Sequence, residues 1–417
     1  MAFSVRSIAV RSWEALRAFW LIMGMCLLLF VLVEVGIRVQ RTMANKMRTA
    51  RPTAAAVVDP RTKTSWYADY MTDFNATRAA RWKSYVYFSR FPSYSGRYVN
   101  IDRHGRRVTP QPSVPAVPAA RVFFFGGSTM WGTSQRDDRT IPAEASRRLQ
   151  ELAGPGARIE VTNFGDNGYV FTQEIIELMM QLRLGNTPDV VVFFDGLNDA
   201  GATVQSGSAG LPQNESNRAA EFTMGRALDR NAYGQGIRRD LRAWSLLTSK
   251  GLDQSAVIAW MKRLKPAVPF AMISADSAAR STARIYTANA RLVEALAKEY
   301  GFTPIYVWQP NLHMTPKPLS PFETGLLRQI KADPFHNRLR DVHLAVPAML
   351  DASMPAVAPG RFINESSLFK GDTTHVFVDR VGHNTEEAIP TIVDAFWPAL
   401  RAAMALKRAR TFAVLPQ

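Results

Sequence analysis

The stretch RVFFFGGST, residues 121–129, decides the fold of this chain. Its apolar part, residues 121–125, has the length and the Val and Phe side chains of a buried strand. Two glycines then end the run, and glycine allows both a sharp turn and the close approach of another group. A serine on such a turn presents its hydroxyl at the end of the strand. We therefore predict a strand, a tight turn and a candidate nucleophile at Ser128.

Outward from this stretch, short apolar runs alternate with segments of helical periodicity. The predicted strands are residues 121–125, 159–164, 189–194, 303–308 and 375–378, and the predicted helices are 140–153, 173–184 and 283–300. Strands that alternate with helices form a parallel sheet covered on both faces. A polar and then helical segment, about residues 201–280, is predicted to be an insertion over one end of this sheet.

Polar clusters follow the other predicted strands, at the edge where ligands of a parallel sheet bind. NFGDNGY, residues 163–169, follows the second strand, and GLND, residues 196–199, follows the third. A glycine N–H and an asparagine amide suit the oxyanion that forms during acyl transfer. Taken singly, each cluster is also what an ordinary loop contains. Their coincidence with Ser128 predicts an acyl-transfer site.

Two aspartate–histidine pairs near the C-terminus can supply the base that a serine nucleophile needs. Asp379 and His383 are four residues apart, and Asp372 and His375 are three apart. The apolar run HVFV leads directly into Asp379, and a helical pattern follows His383. These features favour Asp379 and His383, and the other pair stays open as an alternative.

Together the four clusters resemble those of the SGNH/GDSL hydrolase family. GGST at 126–129 matches the first block, where an aspartate often stands in the place of Gly127, and NFGDNGY, GLND and the Asp379–His383 segment match the other three. The likeness spans about residues 119–400. It implies a flavodoxin-like three-layer α/β/α domain with a parallel sheet. The implied site residues are Ser128 as nucleophile, His383 as base, Asp379 as the group that orients His383, and the Ser128 N–H, Gly168 N–H and Asn198 amide as the oxyanion hole.

One feature departs from the resembled family, which usually places the aspartate three residues before the histidine. Here Gly382 is the additional residue, and a glycine can absorb a bulge. Asp372 and His375 have the usual spacing, so the choice between the two pairs needs a structure.

An apolar segment, AFWLIMGMCLLLFVLVEVGI, occupies residues 18–37 and contains one charge, Glu34. About 20 apolar residues in a helix span a bilayer, and no small-residue cleavage site of a signal peptide follows directly. We predict an uncleaved transmembrane helix at 18–37 after an N-terminal tail, residues 1–17. A linker and small aromatic-rich collar, 38–118, and the hydrolase domain, 119–405, would then follow.

Basic residues flank this segment on both sides, with three before it and five after it. Counted strictly, the positive-inside rule keeps the following domain in the cytoplasm. Membrane-tethered members of the resembled family, however, often work on cell-envelope polysaccharides. We therefore expect a single-pass protein of the inner membrane with its catalytic domain on the periplasmic or extracellular side.

Composition argues against several kinds of site. The single cysteine, Cys26, allows neither a disulfide within the chain nor a cysteine metal site. The histidines show no metal-ligand spacing, so we predict no metal and no cofactor. The formal net charge of +16 favours anionic surfaces. The basic residues are dispersed rather than interleaved with aromatics, which argues against a nucleic-acid partner.

Three functions fit these features. The first is a serine esterase that removes O-acyl groups, foremost O-acetyl groups, from cell-envelope glycans. The second is a polysaccharide O-acyltransferase that uses the same triad, with a sugar hydroxyl in place of water. The third is a non-catalytic, membrane-anchored glycan-binding or assembly protein, which the lengthened Asp–His spacing keeps open. The expected partners are an acylated glycan or small ester and the membrane.

Overall fold

The computed structural model describes residues 5–50, 58–115, 117–219, 273–314 and 316–413 of the 417-residue chain. It divides the chain into two compact units, residues 1–56 with 217–268, and residues 57–216 with 269–417. The predicted clusters that carry chemistry all belong to the second unit.

The first unit, as far as it is described, consists mainly of one helix, α1 (Val5–Ala50). Within α1, the segment Leu16–Met43 is long and apolar enough to cross a bilayer, a property that signal sequences share, and none of it is buried. The predicted span, residues 18–37, therefore lies inside a longer helix. Its one carboxylate, Glu34, is paired with Arg38 one turn later at 2.8 Å.

The second unit is built on a five-stranded parallel sheet. Its strands are β5 (Ala120–Gly126), β6 (Ile159–Asn163), β7 (Val190–Asp195), β8 (Thr303–Trp308) and β9 (Phe362–Asn364). Their spatial order is β6-β5-β7-β8-β9, with every neighbouring pair parallel. This is the 2-1-3-4-5 order of flavodoxin-like sheets, in which ligands bind at the carboxyl ends of the strands, where the order of the strands reverses between β5 and β7. The predicted α/β class and parallel sheet are confirmed.

Helices cover both faces of this sheet. They are α3 (Ser128–Trp131), α4 (Ile141–Ala153), α5 (Phe171–Arg183), α6 (Leu197–Ser206), α7 (Ala275–Tyr300), α8 (Pro321–Ala332), α9 (Pro334–Ser353) and α10 (Ile389–Ala413). Val122 and Phe124 of β5 pack in one core with α4 and α10, and Phe123 and Phe125 pack in the other with α5, α7 and α9. Because successive side chains of a strand point to opposite faces, a strand covered on both sides must be apolar throughout.

A second apolar segment, Glu386–Leu406, has the length of a membrane span. It is nearly all part of α10, and its Ile389, Ile392 and Phe396 are buried in the core against the sheet. This segment is the amphipathic helix of a folded domain.

The edge strand was assigned wrongly from the sequence. Residues 375–378 were predicted as the last strand, but they form one arm of a tight loop in which Phe377 makes a single antiparallel bridge with Asn384. The fifth strand is instead β9, three half-buried residues after α9. Such a short edge strand carries too little periodicity to be recognised.

The predicted insertion, about 201–280, is shorter than expected at both described ends. Residues 201–206 complete α6, and α7 begins at Ala275, where the Ser274 side chain caps the helix by accepting from the Ser277 N–H. Residues 220–272 lie outside the described residues.

Small elements precede the sheet in the chain and pack against α3 and α5. They are α2 (Tyr67–Ala76), the antiparallel pair β1 (Ala80–Lys83) and β2 (Tyr87–Arg90), and the antiparallel pair β3 (Tyr94–Ser95) and β4 (Asn100–Ile101). We refer to residues 58–110 as the collar. Its own apolar cluster contains Tyr70, Val99 and Ile101, and the fourth buried member is Trp131 of α3. The collar thus packs directly on the helix that begins at Ser128.

Candidate active site

The turn after β5 holds Ser128 at the first position of α3. Both preceding glycines lie where a side chain would not fit. A Cβ atom at Gly126 would come within 2.7 Å of the Phe194 carbonyl oxygen. A Cβ atom at Gly127 would come within 2.0 Å of the Asn198 Nδ2 atom. The glycines therefore allow the β7 end and the Asn198 amide to approach the serine turn closely.

Gly127→Ala tests this close approach. Its backbone angles, φ −80° and ψ −150°, are not left-handed. An alanine there would therefore act only through the steric clash of its methyl group, not through backbone strain. We expect kcat for ester hydrolysis to fall about ten- to a hundredfold, because the methyl group displaces the Asn198 amide by about an ångström or more. Gly36→Ala is the matched control, since nothing lies within 4 Å of a Cβ atom there. An unchanged kcat in the Gly127 variant would contradict the assigned place of Asn198.

The second candidate group, His383, lies between Ser128 and Asp379. His383 Nε2 is 2.6 Å from Ser128 Oγ, and His383 Nδ1 is 2.5 Å from Asp379 Oδ2. Asp379 Oδ1 also accepts the backbone N–H groups of Val381 and His383. Partial burial acts to raise the pKa of Asp379, but the charge and hydrogen bonds of His383 outweigh it and hold that pKa below its usual value. The aspartate is thereby kept ionised beside the imidazole.

The four-residue spacing is accommodated by a tight loop. The Val378 N–H donates to the His383 carbonyl at 2.9 Å, and the Thr385 N–H donates to the Val376 carbonyl at 2.8 Å. Gly382 closes the loop with φ +79°, a left-handed conformation that glycine adopts without strain. The additional residue therefore lies in the turn, and Asp379 and His383 face each other across it.

The alternative pair has other partners. Asp372 Oδ1 accepts from the N–H and hydroxyl of Thr374, both at 2.7 Å. His375 Nδ1 lies 3.3 Å from Ser320 Oγ. Within the described ranges, neither Asp372 nor His375 has a hydrogen bond to Ser128.

The predicted oxyanion donors meet in one cleft with the serine. Ser128, Gly168, Asn198 and His383 all line a cleft of about 350 Å³. Asn198 Nδ2 donates one hydrogen to the Tyr169 carbonyl at 2.8 Å, and its Oδ1 accepts from Gln213 Nε2 at 3.0 Å. An amide nitrogen carries two hydrogens, so these contacts fix the amide and leave one donor for a ligand. Asn198 is thus held in a defined orientation at the cleft wall.

A buried ion pair that the sequence did not reveal supports the Gly168 loop. Arg90 of the collar strand β2 lies 3.2 Å from Asp166, and both side chains are buried. Burial raises the pKa of Asp166 to about 6, against the lowering effect of Arg90 and of the Asn167 N–H. The Tyr169 hydroxyl donates to the Phe88 carbonyl of the same strand at 2.5 Å. The collar therefore holds the loop that carries the Gly168 N–H.

A second buried cation, Arg107, fixes the chain after Ser128. Its side chain is fully buried, pairs with Asp137 at 2.8 Å and stacks on the Trp131 ring at 4.5 Å. It also donates to the carbonyls of Gly132 and Gln135, both at 2.5 Å. Asp137 and these carbonyls follow α3 in the chain, so one side chain joins the collar to the serine helix.

Arg107→Met is expected to lower the free energy of unfolding by about 3–5 kcal/mol, because it leaves the Asp137 carboxylate buried without its cation. Chemical denaturation followed by circular dichroism would measure the change. Arg106→Met is the matched control: Arg106 is part-exposed and paired with Asp102, and an exposed pair contributes about 1 kcal/mol or less. Equal effects of the two substitutions would refute a special role for Arg107.

No metal centre is evident in the part of the chain that the structure describes: no group of three or more His, Cys, Asp or Glu residues there could hold an ion.

Three fully buried carboxyl groups, those of Glu174, Asp195 and Asp199, lie close together behind the Asn198 turn. Burial raises the pKa of all three, and that of Asp199 to about 6. Burial therefore favours the neutral, protonated forms of Glu174 and Asp195.

Comparison with known proteins places this chain in no family: no family model matches it, and no curated protein sequence does. Its structure is similar to those of an acetyl xylan esterase, AlAXEase (12% identity, 67% of this chain and 98% of that one, TM-score 0.36), and of LAE5, an alpha/beta hydrolase enzyme from the metagenome of Lake Arreo, Spain (11% identity, 68% and 95%, TM-score 0.34). A member of the lipolytic protein G-D-S-L family from Veillonella parvula is similar to the same degree (12% identity, 67% and 97%, TM-score 0.34). Likeness at this level carries no inference about activity, which has to come from the site itself.

Proposed function

We propose that this protein is a serine esterase that removes O-acyl groups, foremost O-acetyl groups, from glycans of the cell envelope. The observation that carries the proposal is the continuous hydrogen-bonded chain from Ser128 Oγ through the His383 ring to Asp379. A serine hydroxyl is a weak nucleophile unless a positioned base accepts its proton, and an oriented imidazole is the usual base.

Each step of the reaction has a candidate group. His383 Nε2 accepts the proton of Ser128 as Oγ attacks the ester carbonyl, and Asp379 steadies the imidazolium. The N–H groups of Ser128 and Gly168 and the free hydrogen of Asn198 Nδ2 stabilise the oxyanion. Collapse of the intermediate expels the alcohol, which takes the proton from His383. Water, activated by the same imidazole, then releases the acid and restores the serine.

The walls of the cleft support a polar alcohol as leaving group. The lining residues include the amide side chains of Asn167, Gln205, Gln213 and Asn214 and the apolar side chains of Phe335, Leu339 and Val381. Amide groups donate and accept hydrogen bonds, as the hydroxyl groups of a sugar require. The cleft of about 350 Å³ suits a short acyl chain attached to such a sugar.

The esterase assignment is tested with the full-length protein in detergent. We expect hydrolysis of p-nitrophenyl acetate, a falling rate with longer acyl chains, and release of acetate from an O-acetylated oligosaccharide. Absence of acetate release from every ester offered would contradict the proposal. Mass analysis of the same mixtures, with an unacetylated oligosaccharide added, would reveal an acetylated acceptor if water is replaced by a sugar hydroxyl.

We further propose that α1 is an uncleaved, single-pass anchor that keeps the catalytic domain on the periplasmic or extracellular side. The support is the length and apolar character of Leu16–Met43 and the expected location of the glycan. A reporter active only outside the inner membrane, fused after Gln417, should be active. A reporter active only in the cytoplasm would reverse the orientation. A mature N-terminus beyond Met43 would instead identify the helix as a signal sequence.

A further inference from the structure

A second cavity, which we call the Trp66 cavity, lies beside the loop that carries His383. It has a volume of about 540 Å³ and shares no lining residue with the Ser128 cleft. Its walls come from the collar at Arg61, Thr64 and Trp66, from the turn at Thr374 and His375, and from residues 385–391. It is larger than the cleft of the candidate active site.

We propose that the Trp66 cavity binds a neutral saccharide. Trp66 supplies a half-buried aromatic ring, over which the Arg136 guanidinium lies at 4.8 Å from the ring centroid, and Thr64, Ser134, Thr374 and Thr385 supply hydroxyl groups around the cavity. An aromatic ring packs against the C–H face of a pyranose, while hydroxyl and carboxylate groups bond to its O–H groups. A pocket that was built for an apolar ligand would contain few of these polar groups.

The charges in this cavity oppose an anionic ligand. Among the described lining residues, the one cation is Arg61, which is already paired with Asp59 at 2.6 Å. Three carboxylates also line the described wall, and of these Glu386 is paired with Arg136 at 2.6 Å. Asp372 and Glu387 remain as negative groups, and no further cation among the described lining residues offsets them. The cavity therefore disfavours phosphates and uronates, although the chain as a whole carries a net charge of +16.

His375 adds an unmet hydrogen-bonding group to the same wall. Its Nδ1 atom is near Ser320 Oγ, but its buried Nε2 atom has no hydrogen-bond partner among the described residues. Burial lowers the pKa of His375, so the ring is neutral at pH 7 and one nitrogen can donate while the other accepts. Because a buried polar atom without a partner destabilises the free protein, a ligand hydroxyl that bonds to His375 Nε2 binds more tightly.

The position of the cavity connects it to the proposed chemistry. Thr385 and Glu386 follow His383 in the same loop, and Glu386 accepts the backbone N–H of Arg136 at 2.7 Å, eight residues after Ser128. This inference rests on the proposed function only for its link to catalysis: a glycan held in the Trp66 cavity would be the chain that carries the ester. Binding itself needs no catalysis.

The site is tested by filling the cavity from its exposed rim. Thr391→Trp and Thr374→Trp each place a large ring in the cavity, and Thr72→Trp on the exposed face of α2 is the matched control. Full-length protein carrying Ser128→Ala is titrated calorimetrically with xylohexaose, cellohexaose and maltohexaose, and with oligogalacturonate as the anionic comparison. Thermal unfolding of each variant checks that it is folded. If only one of the two cavity variants folds, that variant alone carries the binding test.

We expect at least one neutral hexasaccharide to bind, with affinity lowered about tenfold or more in the cavity variants and unchanged in Thr72→Trp. Without Ser128→Ala, Thr391→Trp should keep the wild-type rate on p-nitrophenyl acetate, and both cavity variants should lose rate on an acetylated oligosaccharide. Absence of binding to all three neutral probes, preference for oligogalacturonate, or equal affinity in the filled variants would overturn the inference. Failure of the esterase proposal would appear separately, as absence of hydrolysis of any ester by the wild-type protein.

Discussion

Ser128→Ala is expected to lower kcat for p-nitrophenyl acetate by about a thousandfold or more, because the covalent step has no other nucleophile. The Ser128 hydroxyl is half-exposed in the cleft and bonded to His383, and its removal deletes one oxygen without opening a core cavity. The melting temperature should therefore stay close to that of the wild-type protein. Initial rates over a range of ester concentrations give kcat and KM separately.

Ser367→Ala controls for the substitution itself, since Ser367 is exposed and does not line the cleft. It should leave both kinetic constants unchanged. Retention of more than about a tenth of the wild-type kcat in the Ser128 variant would remove this serine from the mechanism and assign the turnover to another group.

His383→Ala is expected to lower kcat by a similar factor, about a thousandfold, whereas His375→Ala should change it only a few-fold. The reason is geometric: His383 Nε2 is 2.6 Å from Ser128 Oγ, while the recorded partner of His375 is Ser320. The two substitutions remove the same side chain from neighbouring segments, so each is the control for the other.

Rates on p-nitrophenyl acetate, with thermal unfolding of both variants, make this comparison. The reverse result, a large loss in His375→Ala with near-normal turnover in His383→Ala, would assign the base to the pair with the usual three-residue spacing. Loss in both variants at unchanged stability would mean that the loop as a whole, rather than one imidazole, is required.

The parallel sheet could be predicted because its central strands are buried on both faces. VFFFG, residues 122–126, and VVVFF, residues 190–194, are apolar at every position, which distinguishes them from a surface strand. The edge strand Phe362–Asn364 could not, because three half-buried residues have no periodicity to recognise. Residues 375–378 were mistaken for a strand because a buried loop arm is equally apolar.

The positions of the candidate site residues could be predicted where these residues follow strand ends within a short stretch of sequence. Ser128, Gly168 and Asn198 each come within a few residues of a strand, so the edge of the sheet brings them together. The supporting ion pairs were not predictable. Arg90 and Asp166 are 76 residues apart, and Arg107 and Asp137 are 30 apart, and nothing local marks any of them as a partner.

Residue spacing alone could not decide between the two histidines. The deciding feature is the conformation of Gly382, whose φ of +79° allows a four-residue spacing to bring Asp379 and His383 together, as a three-residue spacing usually does. A structure shows which glycines adopt the left-handed conformation, whereas the sequence alone does not distinguish them from other glycines.

The central claim is that Ser128, activated by His383, forms a covalent acyl-enzyme, and covalent labelling tests it most directly. A fluorophosphonate, which reacts with activated serines, is added to the full-length protein, and the modified peptide is located by mass spectrometry. We expect a single adduct at Ser128, no adduct in Ser128→Ala and much slower labelling in His383→Ala. A stable adduct at another residue, or equal labelling in the Ser128 variant, would contradict the account.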